Sequence, residues 1–193
     1  MVKRQKKSFY GWRRLGLTVM IGFAILVFIR QLLPQRAEQG DGLSVTQQFI
    51  ADIGPRAQVI AAANDLYASV MIAQAILESD SGQSELSQAP HYNFFGIKGS
   101  YEGQSVSFET WEDDGQGNPY TVTSAFRSYG SLDRGLADYA LFLQSDLYWG
   151  VRRSYTSTYQ DATAALTGTY ATDTSYGAKL NDLIQRYQLT GYD

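Results

Sequence analysis

The segment Val70-Met71-Ile72-Ala73-Gln74-Ala75-Ile76-Leu77 leaves this chain few ways to fold, because it is apolar on nearly every side of a helix rather than along one stripe. Such a helix has to be enclosed by other elements, so the rest of the domain is expected to wrap around it. Ser69 is placed to cap its start. Its end is marked by Glu78, directly before the helix-breaking stretch Ser79-Asp80-Ser81-Gly82. A glutamate there gains nothing from the helix macrodipole, which favours cations at a C-terminus. Buried, its carboxyl would be driven to hold a proton near neutral pH, as a general acid requires; facing solvent, it would be an ordinary helix terminus.

The surrounding pattern is mostly helical. Phe49, Ile50, Ile53, Val59 and Ile60 predict two helical pieces between Ser44 and Ala63, with Pro55 near the start of the second. Helical periodicity returns at Leu132 to Leu143, around Ala162 to Leu166, and at Tyr176 to Tyr187. Two stretches have a different texture: Ser105 to Glu112 and Tyr120 to Phe126 are rich in Val, Thr and aromatics and flank the turn-forming residues 113–119, which predicts a β-hairpin. The expected fold class is therefore α+β and predominantly helical, with one small β-hairpin lobe.

Charge divides the chain. Eight of the 16 Lys and Arg lie in residues 1–36 and all 19 Asp and Glu follow them, leaving a net of −11 on the remainder. An acidic body is repelled by phosphate backbones, so no nucleic-acid partner is expected. At the N-terminus, Lys3, Arg4, Lys6, Lys7, Arg13 and Arg14 precede an uncharged apolar run from Leu15 to Ile29. Snorkelling of Arg30 extends that run through Leu33 to about 19 residues, enough for a span. Residues 1–14 are thus expected to be a cytoplasmic basic leader, 15–33 a transmembrane signal-anchor, 34–43 a linker and 44–193 the folded domain, outside the cell membrane. The alternative is a signal peptide, removed to leave a secreted protein, although residues 30–36 offer no small-x-small cleavage site.

Several chemistries are excluded. The chain has no cysteine, so it has neither disulfides nor thiolate metal sites, a habit compatible with Gram-positive export. His91 is the sole histidine, which excludes a multi-histidine zinc site and leaves little basis for a Ser-His-Asp triad, and it reads as a surface loop residue. The acidic clusters lack the spacing of a calcium loop. No metal or cofactor is expected.

The wording of the chain carries a resemblance. Ser69 to Ser79, followed by Gly82 and Ser84, resembles the catalytic helix of glycoside hydrolase family 73, bacterial endo-β-N-acetylglucosaminidases of the lysozyme-like superfamily. Asn93-Phe94-Phe95-Gly96-Ile97-Lys98-Gly99-Ser100-Tyr101 with Gly103, Ser105 and Val106 is similar to the family's entry into its β-lobe. Ala125-Phe126-Arg127 with Tyr129 and Ser131 resembles the exit, and Tyr170-Ala171-Thr172-Asp173 with Tyr176 and Lys179 the C-terminal segment. The blocks run in the family's order across roughly residues 45 to 190. Two departures stand out: Ser81-Gly82 where relatives often carry Trp-Gly, and Thr174 where many carry proline.

The resemblance implies a lysozyme-like fold and hydrolysis of the β-1,4 bond after N-acetylglucosamine in peptidoglycan, with Glu78 as proton donor. Strand alternation groups Glu112 with Val106, Phe108 and Thr110, on the face opposite Glu109, and Thr110-Trp111-Glu112 resembles the family's second-glutamate segment, so Glu112 is the chosen second carboxylate and Glu109 its alternative. Tyr92, Asn93, Phe95, Tyr101, Trp111, Tyr129, Tyr170 and Tyr176 are the expected sugar contacts, with Tyr170 or Tyr176 available to orient an acetamido group; Phe94 and Phe126 are expected in the core. The spacing of the two carboxylates would select a retaining or an inverting course, and attack by the substrate's own acetamido group is a third route. The enzyme is expected to act as a monomer. Rival readings are a muramidase or lytic transglycosylase on the same fold, and a wall-binding protein without turnover.

Overall fold

The computed structural model describes residues 43–113 and 119–193, with side chains outside 111–120. The leader, the expected anchor and nearly all of the linker lie outside the described residues. Among the described residues no helix is long and apolar enough to cross a membrane.

Helix α1 (Val45–Ala63) opens with a capping box, in which Ser44 Oγ accepts from the Gln47 amide and Gln47 Oε1 accepts from the Ser44 amide at 2.9 Å. It runs unbroken through Pro55, correcting the expectation of two pieces. Pro55 and Ala51, the residue whose carbonyl loses its helical donor, both lie on the exposed side of the helix, where the loss of that bond is least costly.

Helix α2 (Ala68–Ser79) is the enclosed helix the sequence demanded: eleven of its twelve residues are buried and Leu77 is half-buried. Its flanking residue is Tyr67, which makes no side-chain cap. Ser69 instead sits in the first turn, where its amide and its hydroxyl both donate to the Asp193 carboxylate at 2.8 Å. One orphan donor of this buried helix start, the Ser69 amide, is thus satisfied from the far end of the chain rather than by the expected local cap. Helices α1, α4 (Tyr159–Leu166) and α5 (Tyr176–Arg186) and the 3-10 turn Leu189–Tyr192 pack around α2.

Helix α3 (Leu132–Phe142) lies against α1, and its approach to the loop at Tyr92 depends on Gly135, since a Cβ there would stand 2.3 Å from the Tyr92 carbonyl oxygen. Strands β1 (Ser105–Asp113) and β2 (Pro119–Arg127) form one antiparallel hairpin with Ser105 opposite Arg127 and Glu112 opposite Tyr120. Val106, Phe108 and Thr110 are covered while Ser105, Ser107 and Glu109 are exposed, the alternation a one-sided sheet requires.

The hairpin is secured at its root. Gly99 donates to the Ala125 carbonyl at 2.8 Å and Arg127 to that of Ile97 at 3.0 Å, while the Asn93 side chain bridges the Ile97 and Arg127 carbonyls at 2.9 and 3.0 Å. On α3, Asp138 Oδ2 accepts from Arg127 Nη1 at 2.6 Å and from the Tyr129 hydroxyl at 2.7 Å. Removing the remote cap is a direct test of this wiring. Asp193→Ala is expected to lower stability by about 1 kcal/mol, read as a fall in Tm of about 2–4 °C, whereas Asp193→Asn, which keeps one acceptor, retains part of it.

Candidate active site

Glu78 occupies the last turn of α2 and is 8% exposed. The chain immediately after it reverses through three consecutive left-handed residues, Asp80, Ser81 and Gly82, with φ of 52°, 57° and 76°. Only the glycine adopts that conformation freely; each of the other two costs about 1–2 kcal/mol. Bonds from the Ser81 amide to Ile76 O and from the Ser84 amide to Ser79 O, both at 2.9 Å, hold the turn, and Ser79 Oγ accepts from the Gly82 amide at 2.7 Å while donating to Ala75 O. At Gly82 a Cβ would approach the Phe49 ring to 2.7 Å, so glycine is required twice over. Ser81, where relatives often have tryptophan, shares a hydrogen with Thr46 Oγ at 2.8 Å.

Behind the carboxyl lies a buried polar chain. The Tyr139 hydroxyl donates to Gln74 Oε1, Gln74 Nε2 donates to the Tyr176 hydroxyl at 2.9 Å, and that hydroxyl donates to Glu78 Oε1 at 2.7 Å. Gln74 and Glu78 stand four residues apart on α2 and therefore share a face. Burial raises the hydroxyl pKa of Tyr139 and Tyr176 well above the ordinary phenol range, so both remain donors at neutral pH.

Desolvation lifts the Glu78 carboxyl from its ordinary 4.5 to about 7, against the opposing pull of the Tyr176 hydrogen bond and the nearby Lys179 ammonium. Lys179 is tied to Asp173 at 2.6 Å, and that bond together with donors from Ser175 depresses the Asp173 carboxyl to about 2. A neutral carboxyl persists near pH 7 because water is excluded from it.

The aromatic cluster divides between core and surface. Phe94 and Phe126 are core residues, as expected. Asn93, Phe95, Tyr129 and Tyr170, expected as sugar contacts, are enclosed, with at most 1% exposure, and committed to internal partners. Asn93 braces the hairpin root, Phe95 stacks on Tyr139 at 3.7 Å, Tyr129 donates to Asp138, and Tyr170 donates to the Phe95 carbonyl at 2.7 Å. Tyr176 is buried too, but its hydroxyl reaches the carboxyl itself. Tyr92 and Tyr101 are half-buried and accessible. Of Trp111 and Glu112 the structure describes the backbone; Glu112 shares strand parity with Thr110, and Glu109 has the opposite parity and is exposed.

His91, expected as a surface residue, is half-buried, paired with Ser128 Oγ at 3.0 Å and set edge-on to Phe108. The participants that sequence reasoning missed, Gln74 and Tyr139, left one signal: Gln74 is the polar interruption in an otherwise apolar run. Among the described residues no group of three or more His, Asp or Glu is placed to hold a metal ion. A cavity of about 620 Å³ opens beside the turn at Gly82, lined by Phe49, Gln48, Gln88 and Tyr92 among others; Glu78 does not line it.

The sequence and the fold have counterparts. A family model described as mannosyl-glycoprotein endo-β-N-acetylglucosaminidase matches residues 54–189. The chain is 52% identical over 167 residues to an autolysin of Enterococcus faecalis, covering 81% of this chain and 22% of that one. It is 49% identical over 154 residues to a protein of Lactococcus lactis named "Probable N-acetylmuramidase", covering 77% and 35%. It thus spans a fifth to about a third of the length of these curated relatives. Among solved structures, the catalytic domain of the autolysin Auto of Listeria monocytogenes superposes with a TM-score of 0.74 at 46% identity, covering 81% of this chain and 92% of that one.

The raised carboxyl has a signature in stability. Between pH 4.5 and about 7 the folded chain holds the Glu78 proton and the unfolded chain does not, so folding is progressively weakened as pH rises through that interval, by up to about 3 kcal/mol. Glu78→Gln removes the titration while keeping an acceptor for Tyr176. Thermal melts are expected to show the variant more stable than the parent at pH 8 and nearly equal at pH 4; equal displacement at both would contradict a buried acid.

Proposed function

Since the chain belongs to the glucosaminidase family, with a lysozyme-like fold of helices plus a small sheet, we propose that it hydrolyses glycan strands of peptidoglycan at the β-1,4 bond between N-acetylglucosamine and N-acetylmuramic acid. One observation carries the catalytic assignment: a water-excluded carboxyl whose pKa, about 7, matches the task of giving a proton to a glycosidic oxygen. Tyr176 holds Oε1 of that group, leaving Oε2 for the leaving oxygen. Glu112 is the second carboxylate, activating water or stabilising the oxocarbenium charge; its parity with the covered face of β1 supports it over Glu109. Tyr92 and Tyr101 supply accessible ring faces for the sugars.

The names autolysin and N-acetylmuramidase among its relatives favour wall glycan over the mannosyl-glycoprotein of the family description. They also keep a second reading alive, cleavage of the alternate bond. Both are resolved by digesting purified wall with residues 44–193. Released strands are expected to end in reducing N-acetylglucosamine; muramic or anhydromuramic ends would overturn the assignment. Glu78→Gln is expected to lower clearing at least a hundredfold while the protein still sediments with wall.

For the whole chain, we place the domain on the outer face of the cell membrane, held by residues 15–33 as an uncleaved single-pass anchor. Six cations within residues 1–14, followed by fifteen uncharged apolar residues, support that topology. In fractionated cells the full chain is expected in membranes, resistant to high salt, released by detergent and open to protease added outside. Recovery of a shortened soluble form from the medium would favour signal cleavage.

A further inference from the structure

We propose that Gln74 is a positioning residue for proton transfer: acting through Tyr176, it confines the proton of neutral Glu78 to Oε2. The inference rests on the reading of Glu78 as the acid and extends it to a side chain that touches no sugar, since Gln74 is fully buried.

The reasoning follows from counting donors. A phenol has one hydrogen to give, and a side-chain amide has a nitrogen that only donates and an oxygen that only accepts. Tyr139 donates to Gln74 Oε1, which fixes the amide with Nε2 toward Tyr176. The Tyr176 oxygen is then occupied as an acceptor, and its single hydrogen is directed to Glu78 Oε1 at 2.7 Å. Every hydrogen in the chain points toward the carboxyl. A proton on Oε1 would face the incoming Tyr176 hydrogen, so the neutral acid carries it on Oε2.

If the amide turned over, Oε1 of Gln74 would compete for the Tyr176 hydrogen and the Tyr139 hydroxyl would lose its acceptor. Glu78 Oε1 would then be released, and the proton would be shared between an oxygen facing the interior and one facing the substrate. Phe95, stacked on the Tyr139 ring at 3.7 Å, keeps that phenol aligned with the amide. The polarity of a buried chain of this kind is set as a unit, each bond strengthening the next.

Two variants and one titration test this. Gln74→Met keeps the volume and removes the amide; Tyr139→Phe removes only the donor that orients it. The pH dependence of glycan release would be followed together with the carboxyl 13C titration of Glu78. Gln74→Met is expected to reduce kcat roughly ten- to a hundredfold with KM unchanged and to move both the alkaline fall in activity and the carboxyl midpoint upward by about one pH unit. Tyr139→Phe shifts them the same way by less. A folded variant with a lower rate but an unmoved alkaline limb and carboxyl midpoint would reduce Gln74 to packing and overturn the proposal; should Gln74→Met fail to fold, Tyr139→Phe decides by the same criterion. Activity surviving in Glu78→Gln would instead remove the underlying reading of the acid.

Discussion

Withdrawal of one carboxyl group from water, set against a single phenolic donor, is the interaction on which the rest of this structure depends. Desolvation pushes the Glu78 carboxyl up, and the Tyr176 hydrogen bond and the Lys179 charge oppose it, leaving the group at about 7. Glu78 belongs to α2, and both opposing groups come from α5, three residues apart and so on one face. The packing of α5 against α2 therefore governs the protonation of the acid as much as it governs stability. Asp173, ionised throughout the working range, holds Lys179 at a fixed place beside this pair.

The turn after Glu78 shows what that placement demands. A helix that continued past residue 79 would carry the chain onward along the core, whereas three left-handed residues turn it sharply aside. Two of them lack the freedom of glycine, and the strain persists because Ser79, Ile76 and Phe49 hold the turn from different sides. Local conformational preference is overridden here by contacts that only the assembled domain provides.

Much of this was legible in the order of residues. The enclosure of α2, the hairpin and its facing pattern, the α3 and α5 helices and the position of Glu78 at the end of α2 all follow from periodicity and turn chemistry that a chain reveals locally, whereas the burial of its carboxyl does not. What stayed hidden depends on long-range partners. Ser69 looks like a cap by every local rule, yet its acceptor is Asp193, and no pattern within a few residues of position 69 announces that. The tyrosines were similarly opaque: a phenol on a sugar and a phenol hydrogen-bonded inside a core have the same sequence signature, so Tyr129 and Tyr170 resembled contacts and became struts. The short 3-10 segments Asp146–Val151 and Arg153–Tyr155 span too few turns for a period to register.

The two-stranded sheet has a mechanical consequence. Among the described residues its bonds to the helical body gather at the Arg127 end, while position 112 lies seven residues beyond Ser105, about 23 Å along the strand. An angular change of about 10° at that fulcrum displaces position 112 by about 4 Å, comparable to the difference between the carboxylate separations that divide a covalent route from direct attack by water. On the proposed role of Glu112, the stereochemical course at the anomeric carbon would be coupled to the stiffness of a joint made by Asn93, Arg127 and Asp138, three side chains that need never meet the sugar.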